Sequence, residues 1–216
     1  MSAKGIQKRI DNAHRKVGKA LGYVFNLYRP LTNVDVLDDA NYIDDIKLTV
    51  TLNDSYMSTI GWQTPVWTAY TDAKQLQVGD FLYSEEQGRT FFVMSRQPHL
   101  PVLMMEVNDR VDVQVVGYGD DGTGYSPEAT TYLARNLPCY ISYGASGMGG
   151  GVPARSMGTA GIRNATIITT LPREVMTMGA TVTNLADTFR GDVVSYDYTS
   201  VGRGLRMTVQ EFVHAT

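Results

Sequence analysis

The chain reads as a mainly β protein: one or two small antiparallel β-barrel or sandwich modules, preceded by an N-terminal amphipathic helix and an extended arm. Three observations carry that expectation. Strand-length runs rich in Val, Phe and Tyr recur between Lys74 and Val116, each bounded by Gly, Pro, Asn or Asp. Within Val111–Val115 apolar and polar residues alternate strictly, which is the period of a half-buried strand. Ile6, Ile10, Ala13, Val17 and Leu21, by contrast, recur at steps of four, three, four and four, which gathers them on one face of a helix.

The 216 residues leave room for one large domain or two modest ones. A 43% hydrophobic content with 13 Tyr and 6 Phe can fill a packed core. Only 19% of residues are charged and 21 are Gly, a balance that suits large protein–protein contacts better than a highly solvated monomer. Cys139 is alone, so neither an intrachain disulfide nor a cysteine metal site is expected. No apolar run approaches a membrane span, and the start has no continuous apolar segment of the secretory kind. The net charge of −3 argues against a general nucleic-acid binder but conceals a split. Residues 1–20 hold six cations against Asp11, a net +5, so the remainder carries −8.

In chain order, residues 3–22 predict a helix with Ser2 as N-cap and Gly22 as stop. Its other faces carry the basic arm: Lys4, Lys8, Arg9, Arg15, Lys16 and Lys19. The apolar side is expected to dock on the protein's own body or on a neighbouring subunit. Ile6, Ile10, Val17 and Leu21, with the aromatic anchors Tyr23, Phe25, Trp62 and Trp67, are the candidate subunit or partner contacts. Residues 32–45 are polar and acidic, and the pairs Asp38-Asp39 and Asp44-Asp45 fit no metal-ligand spacing. Ile46–Leu52 alternates as a strand. Residues 1–60 thus read as a helix plus an arm that packs across something larger.

A central β-module spans 61–118, with four strands near Phe81–Tyr83, Thr90–Met94, Val102–Val107 and Val111–Val115, and Leu76–Val78 leading to Gly79-Asp80. Tyr118–Gly124 reads as a loop, and its YGDD letters lack the larger fold a polymerase would need. A C-terminal β-module spans 129–216. In it Thr130–Arg135 reads as one helical turn, and Cys139–Tyr143, Ala165–Leu171, Met176–Asn184, Val193–Tyr198 and Leu205–Phe212 as strands. Arg190-Gly191-Asp192 reads as a turn. One internal echo pairs Gly79-Asp80-Phe81-Leu82 with Gly191-Asp192-Val193-Val194.

Catalytic, cofactor and metal signatures are missing. The glycine-rich stretch Gly144–Pro153 ends in neither a P-loop Lys nor a nucleophile elbow, since Met148 occupies the second glycine position. His14, His99 and His214 are far apart. No catalytic, cofactor-binding or metal-binding residue is assigned, and the expectation is a protein that is not an enzyme.

The run GDFLYSEEQGRTFFVMSRQPHLPVLMMEV at 79–107, behind a basic helix and ahead of GRGLRMTVQEF at 202–212, resembles neck proteins of tailed bacteriophages. That resemblance implies a structural virion protein without cofactor, made in the host bacterial cytoplasm. It would form a twelvefold or sixfold homo-oligomeric ring in the collar or head–tail connector. Its partners would be portal or adaptor proteins and tail or gateway proteins, with DNA in transient passage and no membrane contact. An uncharged loop at 144–151 would line such a channel without holding the duplex, leaving weak, salt-dependent DNA binding to residues 1–20. The alternative is a small β-barrel module that binds nucleic acid through its basic N-terminal helix.

Overall fold

A computed structural model describes residues 2–30, 35–52, 66–98, 100–120, 125–143, 164–171, 176–198 and 204–211. Helix α1 (Ala3–Leu21) follows the predicted periodicity. Ser2 Oγ accepts from the Gly5 amide at 3.3 Å, which satisfies one of the unpaired donors of the first turn. Gly22 donates back to the Gly18 carbonyl at 2.9 Å and turns the chain into extended conformation.

Six strands then close the first barrel: β1 (Tyr23–Tyr28), β2 (Tyr42–Leu52), β3 (Val66–Tyr70), β4 (Phe81–Ser84), β5 (Arg89–Ser95) and β6 (Val102–Glu106). Their order around the barrel is β1-β2-β3-β6-β5-β4, with β4 returning to β1 and every pair antiparallel. Its core is built from the inward-facing residues of these strands, among them Phe25, Leu27, Ile46, Leu82, Phe91 and Met104. The second barrel contains β7 (Asp109–Asp120), β8 (Tyr125–Tyr143), β9 (Asn164–Thr170), β10 (Thr181–Asn184), β11 (Arg190–Tyr198) and β12 (Gly204–Glu211). It closes in the order β7-β8-β9-β12-β11-β10. Val113, Leu137, Ile167, Val182, Met207 and Val209 are among its fully buried residues.

The fold class is the predicted one, mainly β with a single N-terminal helix among the described residues. The boundaries differ from the expectation, for reasons of pairing. Of the stretch 23–60 expected as a connecting arm, residues 23–52 supply β1 and β2, the two strands that complete the first barrel, with Ile46–Leu52 in β2 as expected; residues 53–60 lie outside the described residues. Val111–Val115 lies not in the central module but in β7, paired with β8 and β10 of the second barrel. The compact units are accordingly 1–31 with 37–107 and 200–204, and 32–36 with 108–199 and 205–216. Thr130–Arg135 is not a helical turn but strand, drawn into the ladder opposite Val113–Val116. Tyr118–Asp120 likewise extends β7 instead of opening a loop. Arg190-Gly191-Asp192 starts β11, with Gly191 buried. The glycine-rich stretch at 144–153 and the residues His99 and His214 lie outside the described residues.

The two barrels are repeats of one fold. Numbered within each barrel, the strand order is the same, 1-2-3-6-5-4. Gly79 and Gly179 both take positive φ, 95° and 76°, just before the fourth strand. Gly79 donates to the Val93 carbonyl at 3.0 Å and Val93 to that of Asp80 at 2.9 Å; Gly179 donates to Val193 at 3.3 Å and Val193 to Ala180 at 2.8 Å. The ladder slips at Val93/Ser95 in one barrel and at Val193/Ser195 in the other. A second bulge falls at Leu27/Tyr28 and at Val113/Gln114, where Leu27 faces Leu82 and Val113 faces Val182. Thr71 Oγ1 donates to the Lys47 carbonyl at 3.0 Å, and Thr169 Oγ1 to that of Pro138 at 2.8 Å. Bulges are placed individually by local twist and pairing, so two coinciding pairs argue for a common plan and against chance convergence. The repeat aligns Gly79 with Gly179, and the echo with Gly191 was therefore out of register.

Candidate interaction surface

Helix α1 stands on β2 and β3. Its footing is a glycine: a Cβ on Gly18 would lie 2.5 Å from the Tyr70 carbonyl oxygen and 3.1 Å from that of Lys47. One turn earlier the His14 ring meets Tyr70 edge to face, with centroids 5.2 Å apart. Gln7 and Asp11, joined by a 2.6 Å hydrogen bond, continue the same helix face and are half-buried. At about 100° per residue, these four positions share a sector centred roughly 90° from the apolar stripe.

The helix therefore rests on its polar, glycine-containing side and leaves much of its apolar stripe in solvent. Leu21 is 71% exposed, Ile6 41% and Val17 38%, while Ile10 is half-buried beside the footing. Tyr23, where the helix passes into β1, is exposed as well. Phe25 is not: it is fully buried, edge-on to Phe91 at 5.9 Å, so it belongs to the barrel core and not to a surface. Its direction follows from strand alternation, which points Phe25 and Leu27 inward together. Trp67 is half-buried against that core, edge-on to Phe91 at 5.7 Å. The Arg89 guanidinium lies 4.4 Å above the indole and pairs with both oxygens of Glu106 at 2.6 and 2.8 Å. Trp62 lies outside the described residues.

Lys4, Lys8, Arg9, Arg15, Lys16 and Lys19 are all exposed, and among the described residues none is ion-paired. The same angular count divides them. Lys4, Lys8, Arg15 and Lys19 fall on the far side of the helix, about 140–200° from the stripe, whereas Arg9 and Lys16 border it at about 80–100°.

An acidic surface faces solvent on the first barrel. Asp38, at the cap of a short 3-10 turn (Asp39–Asn41), and Asp39, Asp44 and Asp45 are all exposed, as are Tyr42 and Ile43 between them. Asp44 and Asp45 belong to β2, a consequence of barrel closure. Deeper in, the 1% exposed Asp80 accepts from Arg29 Nε and Nη2 at 2.7 and 2.8 Å and from the Gln77 amide at 2.6 Å. That pair ties the end of β1 to the turn before β4 and keeps its carboxylate out of solvent, so its work is structural. Cys139 is fully buried, and burial first, then the nearby Asp109 charge, pushes its thiol well above the ordinary range.

Among the described residues no three His, Cys, Asp or Glu side chains converge as a metal site, and no helix is long and apolar enough to cross a membrane. What the geometry defines is a tandem-barrel protein carrying a helix whose apolar stripe its own barrel leaves largely uncovered. Comparison with protein families, curated proteins and solved structures gives no match for this chain.

Proposed function

We propose that the protein is a structural subunit of a tailed-bacteriophage virion, forming a ring in the neck that joins the head to the tail and lets DNA pass. The observation that carries this reading is the exposed stripe of Ile6, Val17 and Leu21 on a helix that docks through Gly18. Large aliphatic residues in line on one face, rimmed by charge, are characteristic of a protein–protein contact. Closure of both barrels supports it further: a closed barrel presents no unpaired strand edge, so association must use faces and appendages such as α1. The sequence resemblance to phage neck proteins supplies the location.

The test is mass and shape in solution. Light scattering coupled to gel filtration, with negative-stain images of the same fractions, should show an annular oligomer of defined order. A protein lacking residues 2–21 should stay folded and fall to a lower order. A wild-type protein that remains monomeric to high micromolar concentration would reject the ring.

The cationic face formed by Lys4, Lys8, Arg15 and Lys19 favours a second reading, a nucleic-acid-binding module. Under the ring reading DNA binding is weak, falls steeply with salt, and disappears when residues 2–21 are removed. Tight binding by the truncated body at physiological salt would favour the second reading in another form, with the barrels as the binding surface.

A further inference from the structure

We propose that the stripe of α1 seats on a second copy of this chain, on the exposed stretch from Asp38 to Asp45 that opens β2 of the first barrel. This deepens the ring reading and rests on it. The two surfaces match in both chemistry and layout. On the helix, Ile6, Val17 and Leu21 form an exposed apolar line with Arg9 and Lys16 along its solvent edge. On the strand, exposed Tyr42 and Ile43 are flanked by the exposed carboxylates of Asp38, Asp39, Asp44 and Asp45. Asp45 and Lys47 share the outer face of β2, because alternate strand residues point the same way, and Ile43 is the extra, exposed residue of the bulge opposite Leu27 and Tyr28.

Neither surface is used by a charged partner within the described chain. Asp38 accepts from the Ala40 amide, Asp44 from the Asp45 amide and Asp45 from the Tyr42 hydroxyl, each through one carboxylate oxygen. These are short local bonds that hold the carboxylates in place without neutralising them. Arg9 and Lys16 are seven residues apart, which spaces their charges by about 10 Å along the helix. The seat spans eight residues of turn and strand, long enough to meet both.

The chain's own helix is footed elsewhere on the same strand. Gly18 rests over Lys47 and Tyr70, and Gly22 over Leu48. Ile43 is four residues from Lys47, about 13 Å along β2. A seat beside each helix footing, filled by the helix of the next copy, repeats one contact from subunit to subunit. Such a head-to-tail contact closes into a ring when its rotation divides the circle.

The experiment is a charge swap on the full chain. Arg9→Glu with Lys16→Glu, and separately Asp39→Lys with Asp45→Lys, should each raise the concentration for half-assembly by about tenfold at low salt. All four changes together should bring it back toward the wild-type value, with circular dichroism and melting temperature unchanged throughout. As a second measurement, chains carrying Val17→Cys and chains carrying Ile43→Cys are mixed under mild oxidation. A disulfide-linked dimer should form in the mixture and in neither protein alone.

If the wild type is an oligomer but the strand reversals leave assembly unchanged, or the four-fold variant stays dissociated, the seat is wrong and the ring reading stands. Equally decisive against the seat is an intrachain crosslink in a single chain bearing both cysteines. A closed dimer with efficient crosslinking would uphold the seat and overturn the ring. A monomeric wild type overturns both.

Discussion

Gly18 brings the helix backbone so close to the first barrel that any side chain there must push against two carbonyl oxygens, those of Tyr70 and Lys47. Gly18→Val should therefore lift α1, at a cost of about 1–3 kcal/mol. Limited proteolysis should then cut within residues 4–21 while the barrel strands keep their resistance. Asp80 sets a different kind of constraint, since Arg29 and one backbone amide are what hold its carboxylate at 1% exposure. Arg29→Ala leaves that charge buried and under-paired, and should cost about 3 kcal/mol in denaturant unfolding. Cys139 contributes in the opposite sense, as a neutral group. Its folded-state pKa is raised by burial, so its contribution is full below the ordinary thiol pKa of about 8.5 and declines as pH rises above it. A thiol reagent at pH 8 should find it unreactive until the protein unfolds.

At the scale of elements, the repeated turn before the fourth strand of each barrel depends on glycine for its backbone alone. Around Gly179 no atom lies within 4 Å of an added Cβ, so Gly179→Ala isolates the strain of φ 76°. The expected loss is about 1–2 kcal/mol with no change in fold, read from the melting curve. Gly191→Ala makes the contrast. There the new Cβ would run into the Gln210 carbonyl of β12, which is backbone and cannot turn aside. Pairing of β11 with β12 should break locally, visible as fast amide exchange in both strands, with a loss larger than at Gly179.

For the whole molecule, two barrels with separate cores and one solvent-facing helix predict that assembly and folding can be separated. Ile6→Asp with Val17→Asp should abolish oligomers while leaving the β-type dichroism and the melting temperature within a few degrees of wild type. Phe91→Ala acts on the other property. It removes a fully buried ring from the first barrel at a cost of about 3–5 kcal/mol. Amide protection should fall first in β1–β6.

Residue order alone determined the helix, its caps and the β character of the body, because each is a local property. The 3.6-residue period of Ile6–Leu21, the Ser2 hydroxyl and the alternation at Val111–Val115 need no distant partner to be read. Partners decided the rest. Residues 23–45 read as an arm, with only Ile46–Leu52 legible as strand, because β1 and the start of β2 make sense only once β4 and β3 close a barrel around them. Thr130–Arg135 has no strong local preference, and the ladder with β7 makes it strand. The repeat was hidden for a related reason. Gly79 and Gly179 share a backbone role, but the residues after them, Asp80-Phe81 and Ala180-Thr181, share no letters, since a barrel position demands size and direction and not identity. The candidate surface divides along the same line. Sequence located the stripe and the cations through their spacing. That the stripe faces outward was decided by Gly18, whose missing side chain lets the polar face approach the barrel most closely.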